Sequence, residues 1–390
     1  MDIWVRENIP AGLYRGSATV RLDDWTTEVP VELKVYDFTV PSITPTQNYW
    51  GMFDRSESLR NELDTSDEMA EAYYELMLKY RMNCELLPFS GAGGPDRYVE
   101  LLRKYYRHYG FSTYKLPTEY KEDSYDGEAI DFDAEAFIGY IVAIARASME
   151  DKIDYLDKAL VYFTFSSGID EPQTKENYEK CRRFSKVYGA LLRDIDARLK
   201  TEFSSRPDYS YYTQTIALTL LKMPMMLTLC HVRHYWRFRL RRRKFHQSVA
   251  HALAFPDWLL DGNSRYLLVV YLYGPVYPYP STHIDDYAVS MRLIGWMQKA
   301  YRLQGYLNWA AAINARLEYP YENPDIGFSN GDGWVLYAGR YYGIYGPVPS
   351  LRAVAFRDGM QDYCYLDMAE KNSDESGKAI IGRFYDELFD

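Results

Sequence analysis

The stretch Leu160–Lys180, LVYFTFSSGIDEPQTKENYEK, decides how the chain is read. Leu160 to Phe165 is a continuous apolar and aromatic run of strand length. Ser166, Ser167 and Gly168 end it. Asp170 then stands as an N-cap, Pro172 falls in the first helical turn, and a long helix is expected from Thr174 to Lys200. A buried strand followed after a short loop by a helix is one half of a βαβ unit, and it needs a parallel neighbour.

The same alternation recurs on either side. Helices are expected at Ser66–Tyr80, with Thr65 and Ser66 as cap candidates, and at Asp96–Tyr109, Asp133–Met149, Asp286–Arg302 and Ser350–Lys371. Short strands are expected at Met82–Leu87, Phe111–Leu116, Gly305–Trp309 and Val335–Tyr337, with Trp50 closing the first. About eight such units predict an α/β fold, a (β/α)8 TIM-type barrel spanning 43–390, over an open sheet. No GxGxxG follows the first strand, which argues against dinucleotide binding. The first forty residues read as β, at Leu13–Leu22 and Glu28–Val40. So few strands cannot close a sandwich, so 1–42 is expected to be the C-terminal part of a β-sandwich domain.

Composition narrows the function. With 390 residues, 47% hydrophobic and 26% charged, the chain supports a large core. A formal net charge of −10 argues against a dedicated nucleic-acid binder. No run approaches the roughly 18 apolar residues of a membrane span. Cys84, Cys181, Cys230 and Cys364 are scattered without a CxxC pair, so no structural zinc is expected and the thiols fit a reducing compartment. The N-terminus MDIWVRENIPAG has neither a basic n-region nor an apolar h-region, and a cytoplasmic location is expected. The 39 tyrosines suit a protein that stacks on sugar rings, and are equally read as compositional habit. One segment departs from the rest: 228–251 holds His231, Arg233, His234, Arg237, Arg239, Arg241, Arg242, Arg243, Lys244, His246 and His251. It reads as an RNA- or phosphate-contacting arm, as a solvated basic face, or as an out-of-frame stretch. The acidic remainder disfavours a nucleic-acid partner.

In a barrel the active site lies at the C-terminal ends of the strands. Asp170 and Glu171 fall there side by side, where one carboxyl can be kept protonated while the other stays ionised. The same positions also serve a helix N-terminus, and the residues alone leave both readings open. Sugar-binding candidates at other strand ends are Trp50, Asn308, Trp309, Asp332, Trp334 and Tyr337, with Tyr277 and Tyr279 in the loop before the Asp286 helix. For each aromatic the competing reading is core packing. Arg352, Arg357, Asp358 and Asp362 read as a structural network, and His283 and Asp285 as helix caps.

Several segments, in order, resemble the glycoside hydrolase family 123 catalytic domain. They are AGLYRGSATV and VPVELKVYDFTVP near the start, then IDEP at 169–172. HIDDYAVSMRLIGWMQKAYRLQGYLNW follows at 283–309, then NGDGWVLYAG at 330–339 and GPVPSLRAVAFRDGMQDYCYL at 346–366. The resemblance implies a retaining β-N-acetylgalactosaminidase working by substrate assistance. Glu171 would be the general acid and then base, and Asp170 would hold the 2-acetamido group, whose oxygen attacks C1 to give an oxazoline. It implies a glycan or glycoconjugate substrate, with no metal, cofactor or membrane partner. Residues 205–275 align only through GPVYPYPST, which puts the middle strands of the barrel in question. A non-catalytic carbohydrate-binding protein on the same scaffold is the rival reading.

Overall fold

The computed structural model describes residues 3, 5–6, 8–52, 58–84, 87–117, 134–162, 175–223, 225–229, 266–271, 280–300, 303, 305–308, 310–312, 331 and 333–389. They fall into two compact units, Met1–Pro41 and Ser42–Asp390.

The first unit is an antiparallel hairpin, β1 (Gly12–Leu22) and β2 (Trp25–Val35). Asp23 turns the chain at φ 47°, a conformation that Asp tolerates because its short side chain bonds locally. This tight turn starts the second strand three residues before the expected Glu28. The register pairs Tyr14 with Leu33, Ala18 with Val29 and Leu22 with Trp25 on one face, and Arg15 with Glu32 on the other, where they form an ion pair of 2.9 Å.

The second unit is organised by parallel strands. β3 (Gln47–Trp50) is followed by α1 (Asp67–Lys79), α2 (Gly94–Tyr105), β4 (Tyr114–Lys115) and α3 (Ala134–Asp151). Then come β5 (Ala159–Leu160), α4 (Lys175–Phe203), α5 (Ala217–Lys222), β6 (Met225–Leu229) and β7 (Tyr266–Tyr271). α6 (Ser290–Ala300), β8 (Gly305–Asn308), β9 (Leu336–Ala338), β10 (Pro347–Pro349), α7 (Leu351–Asn372) and α8 (Glu375–Phe389) complete it. The hydrogen-bonded order is β3-β8-β7-β6, all parallel. Both strands from the stretch that failed to align, β6 and β7, therefore stand in the sheet, in register.

On its other edge, β3 continues to Cys84 through a parallel bridge from Trp50. Two buried amides extend the tie to the next pair, β4 and β5. Asn48 Oδ1 accepts from Asn83 N at 2.9 Å. Asn83 Oδ1 accepts from the N–H groups of Ser112 and Thr113, at 2.9 and 3.3 Å. Its Nδ2 donates to Gly110 O and Ser112 Oγ, at 3.1 and 2.9 Å. Strand-like segments too short for a long ladder are thus joined by side chains that copy backbone bonding.

Helix starts follow their caps. Ser66 Oγ accepts from Met69 N at 3.2 Å and Ser350 Oγ from Ala353 N at 3.3 Å. α6 begins four residues after the expected Asp286, because that carboxylate instead accepts from the hydroxyls of Ser281 and Ser290. Val335–Tyr337, expected as a βα strand, is displaced to β9, which pairs antiparallel with β10. The returning loop carries Gly343 and Gly346 at positive φ, and a Cβ on Gly339 would lie 2.0 Å from Gly346 O.

The crossing of α6 and α7 is set by glycine. A Cβ on Gly359 would lie 2.2 Å from Arg292 O, and one on Gly295 2.3 Å from Gly359 O. Gly359→Ala is therefore expected to cost about 2–3 kcal/mol, seen as a lower urea midpoint, because the backbones must part. Gly16→Ala, where a Cβ meets nothing within 4 Å, is expected to stay within about 0.5 kcal/mol.

Candidate functional site

Because its strands are parallel, the four-stranded sheet ends along one edge at Trp50, Asn308, Tyr271 and Leu229, with Cys84 bridged to Trp50, while Lys115 and Leu160 end the parallel pair β4-β5. Ligands of parallel α/β sheets bind beyond that edge. Which side chains reach it depends on the alternation of faces along each strand.

One face packs on helices. Trp50 meets Phe356 of α7 edge-on at 4.9 Å, and Tyr306 lies 5.8 Å from Trp50 and 6.1 Å from Phe356. Asn48 and Asn308 share this face by register. Tyr114 points the same way, its ring 6.3 Å from Tyr98 of α2. Burial pushes the phenols of Tyr98 and Tyr114 well above their ordinary pKa, so both remain neutral donors. Tyr98 donates to Lys115 O at 2.7 Å and Tyr114 to Tyr155 O at 3.0 Å.

The opposite, inner face carries Tyr49, Thr113, Lys115 and Tyr162. The Tyr49 hydroxyl bonds Thr113 Oγ1, which donates onward to Lys158 O at 3.1 Å. One residue pair nearer the C-terminal edge, the Lys115 ammonium lies 5.6 Å from the centre of the Tyr162 ring, and both residues are buried. Leu116 N donates to Leu160 O at 2.9 Å, which carries the ladder past the named strand ends. Lys115 and Tyr162 were not among the residues singled out in the sequence. In FSTYKLP the lysine stands two positions after Thr113 and so shares its face.

The predicted site residues divide three ways. Asp170, Glu171, Tyr277, Tyr279, Trp309 and Asp332 lie outside the described residues, as do the basic residues from His231 to His251. Trp50 and Asn308 are fully buried on the helix-packed face. Trp334 and Tyr337 share one guanidinium, which is linked to Asn308 through Thr282. Arg352 Nη1 donates to Thr282 O at 2.5 Å and to Gly331 O at 2.7 Å. Its Nη2 donates to Trp334 O and, at 3.3 Å, to the Tyr337 hydroxyl. Asn308 Nδ2 donates to Thr282 Oγ1 at 3.3 Å. Arg352, at the start of α7, therefore fastens two loop segments, at Thr282 and at Gly331–Trp334, through three carbonyls. Arg357 and Asp358 pair with each other at 3.0 Å, whereas Asp362 pairs with Arg292 at 2.5 Å and accepts from Trp296 Nε1 at 2.8 Å. His283 is buried before α6, its N–H donating to Ser281 Oγ at 3.2 Å. Cys84 and Cys364 are buried, and Arg81 Nη1 donates to Cys364 Sγ at 3.6 Å. Among the described residues no cluster of His, Cys, Asp or Glu could hold a metal ion.

Residues 249–369 match the glycoside hydrolase 123 catalytic domain. Three of the segments that carried the resemblance in the sequence, from His283, Asn330 and Gly346, lie inside that span. Among solved structures, a family 123 glycoside hydrolase from Clostridium perfringens, described for glycolipid glycan hydrolysis, aligns with a TM-score of 0.53 at 12% identity. The alignment covers 96% of this chain and 69% of that one. No curated protein matches. The family resemblance is thereby shown, and it supports a glycoside hydrolase; the structural alignment shows a shared fold.

Arg352→Ala is expected to cost about 2–3 kcal/mol and to speed amide exchange at Thr282–Ile284 and Gly333–Tyr337. Arg352→Lys should recover less than half of this, since an ammonium cannot span three carbonyls in fixed directions. Wild-type exchange in the lysine variant would show that the fork geometry is not what holds these loops.

Proposed function

We propose, starting from the match of residues 249–369 to the glycoside hydrolase 123 catalytic domain, that this protein is a retaining, substrate-assisted glycosidase. Its substrate would be a terminal β-linked N-acetylhexosamine, of galacto configuration, on a glycan or glycoconjugate. The reading is carried by one observation. Tyr162, on the inner face beyond the end of β5, leads directly into the stretch that holds Asp170 and Glu171, eight and nine positions on. The parallel run β6-β7-β8-β3, continued through Cys84 to β4 and β5, is read as the greater part of a (β/α)8 barrel, with these residues at its catalytic edge.

The chemistry needs only this pair. Glu171 as a carboxylic acid gives its proton to the glycosidic oxygen as the C1–O bond breaks. The acetamido carbonyl oxygen of the same sugar attacks C1 from the opposite face, forming an oxazolinium ion. Asp170 as a carboxylate accepts the amide N–H, orients the group and offsets its developing positive charge. Glu171, now ionised, takes a proton from water as the water oxygen attacks C1 and the oxazoline opens, which regenerates the acid and the β-configured sugar. An internal nucleophile held in place has a large proximity advantage, which is why no second carboxylate across the ring is required. No helix among the described residues is long and apolar enough to cross a membrane.

The test is release of an aryl alcohol from aryl N-acetyl-β-galactosaminide. Glu171→Gln is expected to lower kcat by about 10²–10⁴-fold, and replacement of the substrate's acetamido group by hydroxyl to abolish turnover. Turnover that survives that replacement sinks substrate assistance. Glycan binding without turnover, unchanged in the Asp170→Asn/Glu171→Gln double variant, would establish the non-catalytic rival.

A further inference from the structure

Among the described residues no strand pairing joins β5 to β6. Side chains instead tie the segments that lead into them. Arg146 pairs with Glu202 at 2.7 Å and Lys152 pairs with Asp208, two largely solvated pairs of the kind that contributes little. The more sheltered tie is between Asp154 and Thr219. The Thr219 hydroxyl, on α5, donates to Asp154 Oδ2 at 2.5 Å, and both residues are half-buried. Asp154 also caps the one-turn helix Tyr155–Lys158 that opens onto β5, its Oδ1 accepting from Leu156 N at 3.2 Å. One carboxyl thus grips both the turn before β5 and the helix before β6. That helix follows directly on a π-helical turn, Tyr212–Ile216, a rare form that recurs at functional sites.

Proton accounting at this junction leaves room for one more. The Thr219 hydroxyl has one proton and two acceptors in reach, Asp154 Oδ2 and, at 3.3 Å, Thr215 O. With a proton on Asp154, Oδ2–H donates to Thr219 Oγ1 and the hydroxyl turns to Thr215 O, so a chain of two bonds replaces one. The Leu156 cap is untouched, because Oδ1 still accepts. The surroundings favour that proton. Asp157 stands on the same turn, and its carboxylate shares the Tyr106 hydroxyl with Asp154 O, at 2.5 and 2.6 Å. Lys158 is turned to the carbonyls of Tyr106 and Phe111, at 2.9 and 3.0 Å, and Lys152 lies over the Tyr211 ring. The phenols around the turn, Tyr106, Tyr114 and Tyr211, are raised in pKa by burial and stay neutral. Burial raises the Asp154 pKa against the pull of the Thr219 bond, and the Asp157 charge adds to the rise.

We propose that Asp154 and Thr219 form a proton-operated latch between the turn before β5 and the helix before β6, tighter in mild acid than at neutral pH. A carboxyl whose pKa is higher in the folded than in the unfolded chain contributes stability below the ordinary carboxylate range. That stability is lost as pH rises through the folded value. Neutral pH therefore leaves a sheltered charge at the junction and loosens it, whereas mild acid closes it. The latch acts on backbone that leads through β5 toward Asp170 and Glu171, and its operation is independent of the chemistry proposed for those residues.

The experiment is amide hydrogen exchange of the full-length protein at about pH 4.5 and pH 7, corrected for intrinsic exchange rates. Protection across Ala217–Met223 is expected to be about 3- to 10-fold greater at the lower pH. Asp154→Asn copies the protonated acid, since its Oδ1 can still cap the turn while its Nδ2 donates to Thr219. It should hold α5 at the acid level of protection at both pH values. Thr219→Val removes the bond and should leave α5 weakly protected at both, while Thr219→Ser keeps the wild-type response. Urea midpoints at each pH separate these local changes from global loss of folding. Wild-type protection that does not change with pH overturns the proposal. So does a pH response that survives unaltered in Asp154→Asn or in Thr219→Val.

Discussion

Everything in the second unit depends on the parallel pairing of Gln47–Trp50 with Gly305–Asn308. It joins the beginning of that unit to its far end, so most of the chain must be held in one closed loop, at an entropic cost met only by burial around the seam. That burial is dense. Tyr49, Trp50, Tyr306 and Phe356 are each at most 1% exposed. The register at the seam also decides the site. A slip of one residue would send Trp50 to the inner face and Tyr49 into the helices. The amide of Asn48, bonded to Arg81 O and Asn83 N, is satisfied only when the residue faces the helices. An unmet buried amide is costly, so this side chain specifies the face on which every strand-end residue appears.

Much of this was legible in the sequence. Six helices declared themselves by caps and periodicity and differ from expectation by a few residues at their ends, whereas α5 and α8, the latter beyond the helix expected to be last, were not foreseen. Cys84 and the two-residue β4 and β5 could not be delimited that way, because their partners are set by side chains far away in sequence and not by local alternation. The displacement of Val335–Tyr337 has a related cause. Its apolar residues suit a buried strand of either kind, and only the glycines of the 339–346 loop say that the chain turns straight back.

Site residues were harder to read, for a definite reason. An aromatic or amide at the end of a strand looks the same in sequence whichever face it takes. Trp50 and Asn308 were chosen by distance along the strand, and parity places them among the helices. The inner-face residues, Tyr49, Thr113, Lys115 and Tyr162, have the opposite parity. They become visible once Tyr49 and Thr113 are seen to bond across the sheet. Arg352 adds a second kind of information. It holds Thr282, Gly331 and Trp334 by their carbonyls, so the loops near Asn308 are fixed by a residue whose own position reads as the start of a helix.

The tyrosine excess belongs to this account. Tyr73 donates to Glu62 at 2.9 Å, Tyr106 to Asp154 O at 2.6 Å, and Tyr212 to Asp196 at 2.9 Å, each with its ring packed in the core. Strands of two to four residues leave many carbonyls beyond the ladder. A side chain that fills core volume and ends in a donor serves both needs, and burial keeps the phenol protonated for the purpose. Tyr98, which holds Lys115 O, shows the device next to the site itself. Tyrosine count therefore says little about sugar binding, because many of the described tyrosines are spent on the fold itself.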